Sequence, residues 1–203
     1  MECPTPVKQD FWFPLKQFYQ RRSLAWVEPE PLAPDAVPEP YHQLLVHQKD
    51  MTPTLSAHYG DDILITVHHQ QRVGNHYSRE VVLKLKHSQR NIEWGGIQIR
   101  LNALPEPTQR LITKAQLPLG FILNDQKVPH RSRPLGFFRM HPDAHIQKVL
   151  GTSDAPWLYG RRNRLLLADE RVIAEIVEIN GVSNEYKVGD PVAPIYGFDD
   201  PVI

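Results

Sequence analysis

An arginine and a glutamate sit where the chain's own periodicity calls for apolar side chains. In residues 78–87 (SREVVLKLKH), Arg79 shares one strand face with Val81, Leu83 and Leu85; in residues 172–179, Glu175 shares one with Ile173, Val177 and Ile179. Burying either charge alone costs several kcal/mol. Each therefore needs an ion partner, whether the other of the two or an unrelated neighbour, or else a ligand.

A hairpin register sharpens that choice. Residues 92–101 (IEWGGIQIRL) read as a second strand, joined to the first by residues 88–91. If His87 faces Ile92, Lys86 meets Glu93, Leu85 meets Trp94, and Arg79 falls opposite Arg100. Two facing arginines repel unless an anion lies between them, which suggests a dicarboxylate ligand. A slip of one residue would invert every face.

Other constellations carry less. His141 and His145 have the i, i+4 spacing of two helical metal ligands, but no third ligand is evident, so no metal is expected. His68 and His69 point to opposite faces of a strand and cannot chelate one ion there. Arg161, Arg162 and Arg164 are expected in ion pairs, because no glycine-rich phosphate loop precedes them. No nucleophile elbow or nucleotide fingerprint is present, and Cys3 lies in an unpatterned terminus.

The elements that must hold these residues follow from local signals. Thr52-Pro53 opens a helix that Gly60 can close, and Ile63, Ile65 and Val67 alternate as in a strand. Residues 108–117 carry Leu111, Ile112 and Ala115 at helical spacing. Residues 142–150 form a helix with Asp143 in its first turn and Gly151 after its last. A second hairpin pairs residues 164–167 with 172–179. Near the start, Phe18 and Tyr19 lie in a short helix after Pro14 that can dock on the main body.

Residues 28–40 (EPEPLAPDAVPEP) hold five prolines, which forbids a continuous helix or central strand and reads as an extended connector. The chain thus divides into a Pro-rich arm (1–40), a main domain (41–180) and a closing loop or tail (181–203). Hairpins interspersed with helices argue for an antiparallel α+β domain.

Composition excludes several classes. The 203 residues are 41% hydrophobic, enough for one packed domain. Lys+Arg and Asp+Glu are 23 each, so no cationic field exists to gather nucleic acid or an anionic membrane. One cysteine excludes an intrachain disulfide and a cysteine zinc site. No apolar run approaches a membrane helix, and the opening MECPTPVKQD has no signal-peptide core, which points to a cytoplasmic protein.

An ordered set of features resembles the chorismate lyase (chorismate–pyruvate lyase) family, in particular its cyanobacterial and archaeal branch. These are Met51-Thr52, Arg79-Glu80 opening a strand, Pro118-Leu119-Gly120, the GRRNRL run at 160–165, and Glu175 in the last strand. The resemblance spans about two-thirds of the chain and implies a roughly six-stranded antiparallel sheet with flanking helices. It further implies a cofactor-free monomer with a buried pocket, and conversion of chorismate to 4-hydroxybenzoate and pyruvate, a step toward quinones. Carried over residue by residue, Arg79 would hold the ring carboxylate, Glu175 would lie near the ring hydroxyl, and Met51 and Leu119 would touch the ligand. A second family arginine resembles Arg100. Of the two PLG runs, the one at 118–120 is taken as the family motif.

In the catalytic reading, Arg79 and Arg100 stabilise charge moving to the departing pyruvate, and Glu175 orients the hydroxyl or shuttles a proton. The alternative is a non-catalytic small aromatic-acid-binding, effector-sensing domain of the same fold, since effector domains of some transcription regulators resemble it. Residues 1–40 are too short and proline-rich for a helix-turn-helix. A third reading makes Arg79, Arg100 and Glu175 an internal salt-bridge network.

Overall fold

The structure, a computed structural model, describes residues 10–152 and 155–181. Cys3 and nearly all of the expected tail, 182–203, lie outside these residues. Among the described residues seven antiparallel strands form one sheet: β1 (Glu30–Leu32), β2 (Ile63–Val73), β3 (His76–Leu85), β4 (Asn91–Arg100), β5 (His130–Met140), β6 (Leu158–Leu167) and β7 (Val172–Asn180). Their spatial order is β1-β5-β6-β7-β4-β3-β2. The expected α+β class with an antiparallel sheet and flanking helices is what the chain adopts. The strand beyond the expected six is β1, three residues of the proline-rich segment paired with β5. Pro31 is tolerated there because an edge strand has one side with no ladder to donate to.

Six α-helices among these residues cover the sheet: α1 (Leu15–Arg21), α2 (Tyr41–Leu45), α3 (Met51–Tyr59), α4 (Glu106–Thr113), α5 (Leu119–Asp125) and α6 (Ala144–Leu150). Helix α3 ends at Gly60, which takes the left-handed conformation (φ +65°) that the sequence assigns to it. At α6 the side chain of Asp143 accepts the Ile146 amide at 2.8 Å, so this residue caps the helix from just outside its first turn.

The two faces of the sheet are packed differently. On one, α1 and α6 bury Leu15, Phe18, Tyr19, Ile146 and Leu150 against Trp94, Phe138, Val177 and Ile179. Gly96 permits this approach, because a Cβ there would stand 3.1 Å from the backbone of Leu15. On the other face lie two separate apolar clusters. One joins α2 and α3 to Leu83, Leu85 and Ile92; the other joins α4 and α5 to Ile97, Leu165 and Ile176.

The β3–β4 register differs from the expected one. Arg79 pairs with Ile97, and Arg100 pairs with His76. Two irregularities cause this. At the turn β3 stops at Leu85, and Lys86 and His87 leave the ladder to bond Asp62 and Asp61 at 2.9 and 2.6 Å, which displaces the pairing by an even number of residues and sets Lys84 opposite Asn91. A register shift between Leu83 and Lys84 then makes the offset odd, so Arg100 moves to the opposite side from Arg79 and into solvent. Among the described residues no helix is long and apolar enough to cross a membrane.

Candidate functional site

Where the two apolar clusters of the second face fail to meet, a cavity opens, of ≈ 580 Å³ counting its mouth. Three successive rungs of the sheet form its floor and one end. Running across β3, β4, β7 and β6 they are Arg79–Ile97–Ile176–Asn163, then Val81–Gly95–Glu178–Arg161, then Leu83–Glu93–Asn180–Tyr159. Gly95 places no side chain in the middle rung, which leaves the hollow. Asp50, Met51 and Thr52 at the start of α3, with Pro118, Leu119 and Gly120 at the start of α5, enclose it from above.

Arg79 is 1% exposed. Its Nη2 donates to the Leu117 carbonyl at 3.3 Å, whereas Nε and Nη1 have no hydrogen-bond partner among the described residues, and none of the ion pairs there includes it. Burial pushes its pKa down to about 10, against the upward pull of the neighbouring Tyr77 phenol, so it stays cationic at neutral pH. A buried guanidinium without a carboxylate is costly unless something else supplies the anion.

At the other end of the hollow, Glu178 is held by Arg161, Nε to Oε2 at 2.5 Å. Arg161 also donates to the carbonyls of Leu45 and His47, which fastens α2 and the loop after it to the sheet. Glu93 stands beside this pair with Oε2 unbonded among the described residues. Burial, then the charge of Glu178, push its carboxyl well above the ordinary carboxylate value, and Arg161 only partly opposes them.

The roof has its own fastening. His130 sets Nδ1 against the Val128 carbonyl at 2.8 Å and Nε2 against Asp50 at 2.9 Å, while Asn124 donates to the same carboxylate oxygen at 3.3 Å. Both ring nitrogens face acceptors, so the imidazolium is the form that satisfies them. The Asp50 hydrogen bond, ahead of the opposing cost of burial, raises the His130 pKa. Burial works to raise the Asp50 carboxyl, but His130 and Asn124 outweigh it and the net shift is downward.

Of the five residues singled out from the sequence, the fold brings Arg79, Met51 and Leu119 together around the cavity. Leu119 begins helix α5, while the second PLG run lies in β5 at a register shift. Glu175 is not in the cavity. It faces the opposite side of the sheet, where its carboxylate pairs with Arg162 and with Arg164 Nε, the latter at 2.8 Å. Arg100 ends β4 on the exterior. His141 and His145 do not converge: the first bonds the Pro156 carbonyl and stacks on Trp157, the second lies 3.8 Å from Glu80.

The sequence reading passed over Glu93, Asn163, Glu178 and Asp50. Glu93 carries the same signal as Arg79, a charge alternating with apolar or small residues, but the assumed register had satisfied it with Lys86.

No protein-family model and no curated protein matches this sequence. Among solved structures, PhnF from Mycobacterium smegmatis is similar with a TM-score of 0.52 at 12% identity, over 66% of this chain and 64% of PhnF. The separate structure of the PhnF effector domain gives 0.50 at 12% identity, over 74% of this chain and 91% of that domain. The ligand-binding domain of a GntR-family transcriptional regulator from Bordetella bronchiseptica also matches, with a TM-score of 0.46 at 12% identity, over 64% of this chain and 91% of that one. The chain thus has the chorismate lyase-like fold in the form used by regulator effector domains.

These neighbours overturn the expectation of a carbon–oxygen lyase serving quinone synthesis. The geometry agrees. The constellation expected to do that chemistry is not assembled, since Glu175 lies across the sheet from Arg79 and Arg100 lies in solvent.

Proposed function

We propose that this chain is a non-catalytic binding domain for a small organic anion, whose carboxylate is received by Arg79 and whose apolar body lies among Met51, Ile65, Val81 and Leu119. One observation carries this reading: a guanidinium 1% exposed lines a hollow with two donors unused among the described residues. A carboxylate entering there would accept both donors in a charge-assisted bidentate pair and relieve the cost of burying the cation. The likeness to the PhnF effector domain supports the same reading at the level of the fold.

The sequence-derived ligand class, small aromatic acids such as 4-hydroxybenzoate, fits a hollow walled by apolar groups with a cation at one end. Calorimetric titration of the full chain with benzoate, 4-hydroxybenzoate and aliphatic monocarboxylates tests this. Saturable binding that weakens about tenfold or more in Arg79→Met is expected. Absence of saturable binding for all of them, or an Arg79→Met variant that binds as the parent does, would overturn it.

A further inference from the structure

The cavity holds two unmatched groups of opposite sign. At one end Arg79 has a positive charge and no anion among the described residues. At the other, Arg161 pairs with Glu178, while Glu93 enters no ion pair among the described residues and its Oε2 is left unbonded there, as is Arg161 Nη2. Each orphan is nearly fully buried, 1% and 3% exposed, and both line the same hollow. They do not pair with each other, because the sheet holds them two rungs apart, about 13 Å along the strand direction between their backbone positions. Between them stand Val81, Gly95 and Ile97, so the intervening surface is apolar or bare.

We infer that the ligand is a small zwitterion, with a carboxylate on Arg79 and an ammonium group on Glu93 and Glu178, joined by an apolar spacer of several bonds. The inference rests on the ligand-binding reading above and adds what the far end selects. The site lacks one anion at one end and one cation at the other, and a zwitterion supplies both while leaving the net charge of the domain unchanged. A plain carboxylic acid satisfies only Arg79; a diacid would place a third carboxylate against Glu93 and Glu178. Without a cation, Glu93 is pushed toward its neutral form by burial and by Glu178, and an ammonium group against it would restore the ionised state. Standing two rungs apart, rather than on adjacent ones, the two ends are too far apart for an amino and a carboxyl group on one carbon, which favours a spaced amino acid.

Matched ligand sets decide the matter on the full chain by calorimetry: 5-aminopentanoate, 5-hydroxypentanoate and pentanoate, together with 4-(aminomethyl)benzoate, 4-(hydroxymethyl)benzoate and 4-methylbenzoate. In at least one set the ammonium member is expected to bind about tenfold or more tightly than its hydroxyl and methyl counterparts. In Glu93→Gln that preference falls to within about twofold. Hydroxyl or plain acids binding as well as the amines would overturn the zwitterion inference alone and leave the anion-binding reading standing. A preference that survives Glu93→Gln unchanged would also overturn it. Failure of every member to bind saturably would overturn both. Should Glu93→Gln not fold, the comparison among ligands on the parent protein still decides.

Discussion

On the face of the sheet covered by α1 and α6, Glu175 is 3% exposed and is held by Arg162 and Arg164. Glu80, fully buried nearby, accepts from the Trp94 indole at 3.0 Å and pairs with Arg22 at 2.6 Å. On the opposite face Arg79 and Glu93 are hidden to the same degree, yet neither enters an ion pair among the described residues, and both line a hollow. Burial alone therefore does not distinguish architecture from function in this protein. The distinction is ion pairing: paired charges close one face, and charges without an ion partner among the described residues line the cavity for which we propose a ligand.

The comparison breaks most visibly if the two faces respond alike to loss of a charge. Glu175→Ala strands Arg162 without its carboxylate and is expected to cost about 3–5 kcal/mol of stability, read from urea unfolding, with ligand preference unaltered. Arg79→Met removes a charge that had no carboxylate, so its unfolding free energy should stay within about 1 kcal/mol of the parent or exceed it. Equal destabilisation by the two would show that Arg79 is as fully paired as Glu175.

A smaller effect sharpens the comparison at the acidic end. The Glu93 carboxyl is raised by burial and by Glu178, so it favours folding only below the unfolded value of about 4.3 and costs stability as pH climbs toward its folded value. Glu93→Gln should therefore melt higher than the parent at pH 8, and the gap should close near pH 4. A gap independent of pH would mean that Glu93 has an ionic partner after all.

The smallest expected effect is at the roof. His130 has a raised pKa, so its contribution with Asp50 is complete below about pH 6.5 and is lost as pH rises through the folded value. The lowered Asp50 carboxyl contributes above its ordinary value, about 3.9, and loses that contribution as pH falls through the folded one. Thermal melts of His130→Gln against the parent should differ by about 1 kcal/mol between these limits and converge at alkaline pH.

How much of this was legible beforehand varied with the range of the interaction. Helix α3 with its Gly60 stop, helix α6 with Asp143 and Gly151, and the β6–β7 hairpin were written in caps, turns and alternation that act within a few residues. Arg79 stood out because a charge on an apolar strand face is visible in the strand itself. Strands β1 and β5 and helix α5 were missed. Proline interrupts both strands, and the apolar residues of α5 span too few turns to set a period.

Alternation along β3 and β7 determined by itself that Arg79 and Glu175 would be buried, since a period of two leaves a strand residue only two faces to choose from. Which face each took relative to the other was settled only in the folded sheet. Asp61 and Asp62 drew Lys86 and His87 out of the ladder, and the register shift between Leu83 and Lys84 made the offset odd and sent Arg100 to solvent. Strand order likewise laid β7 beside β4, setting Glu178 against Gly95 and Glu93 while Glu175 met Arg162 and Arg164 behind it. Contacts between residues far apart in the chain carry no local signature, so the partner of a buried charge, and the absence of one, belong to the tertiary structure.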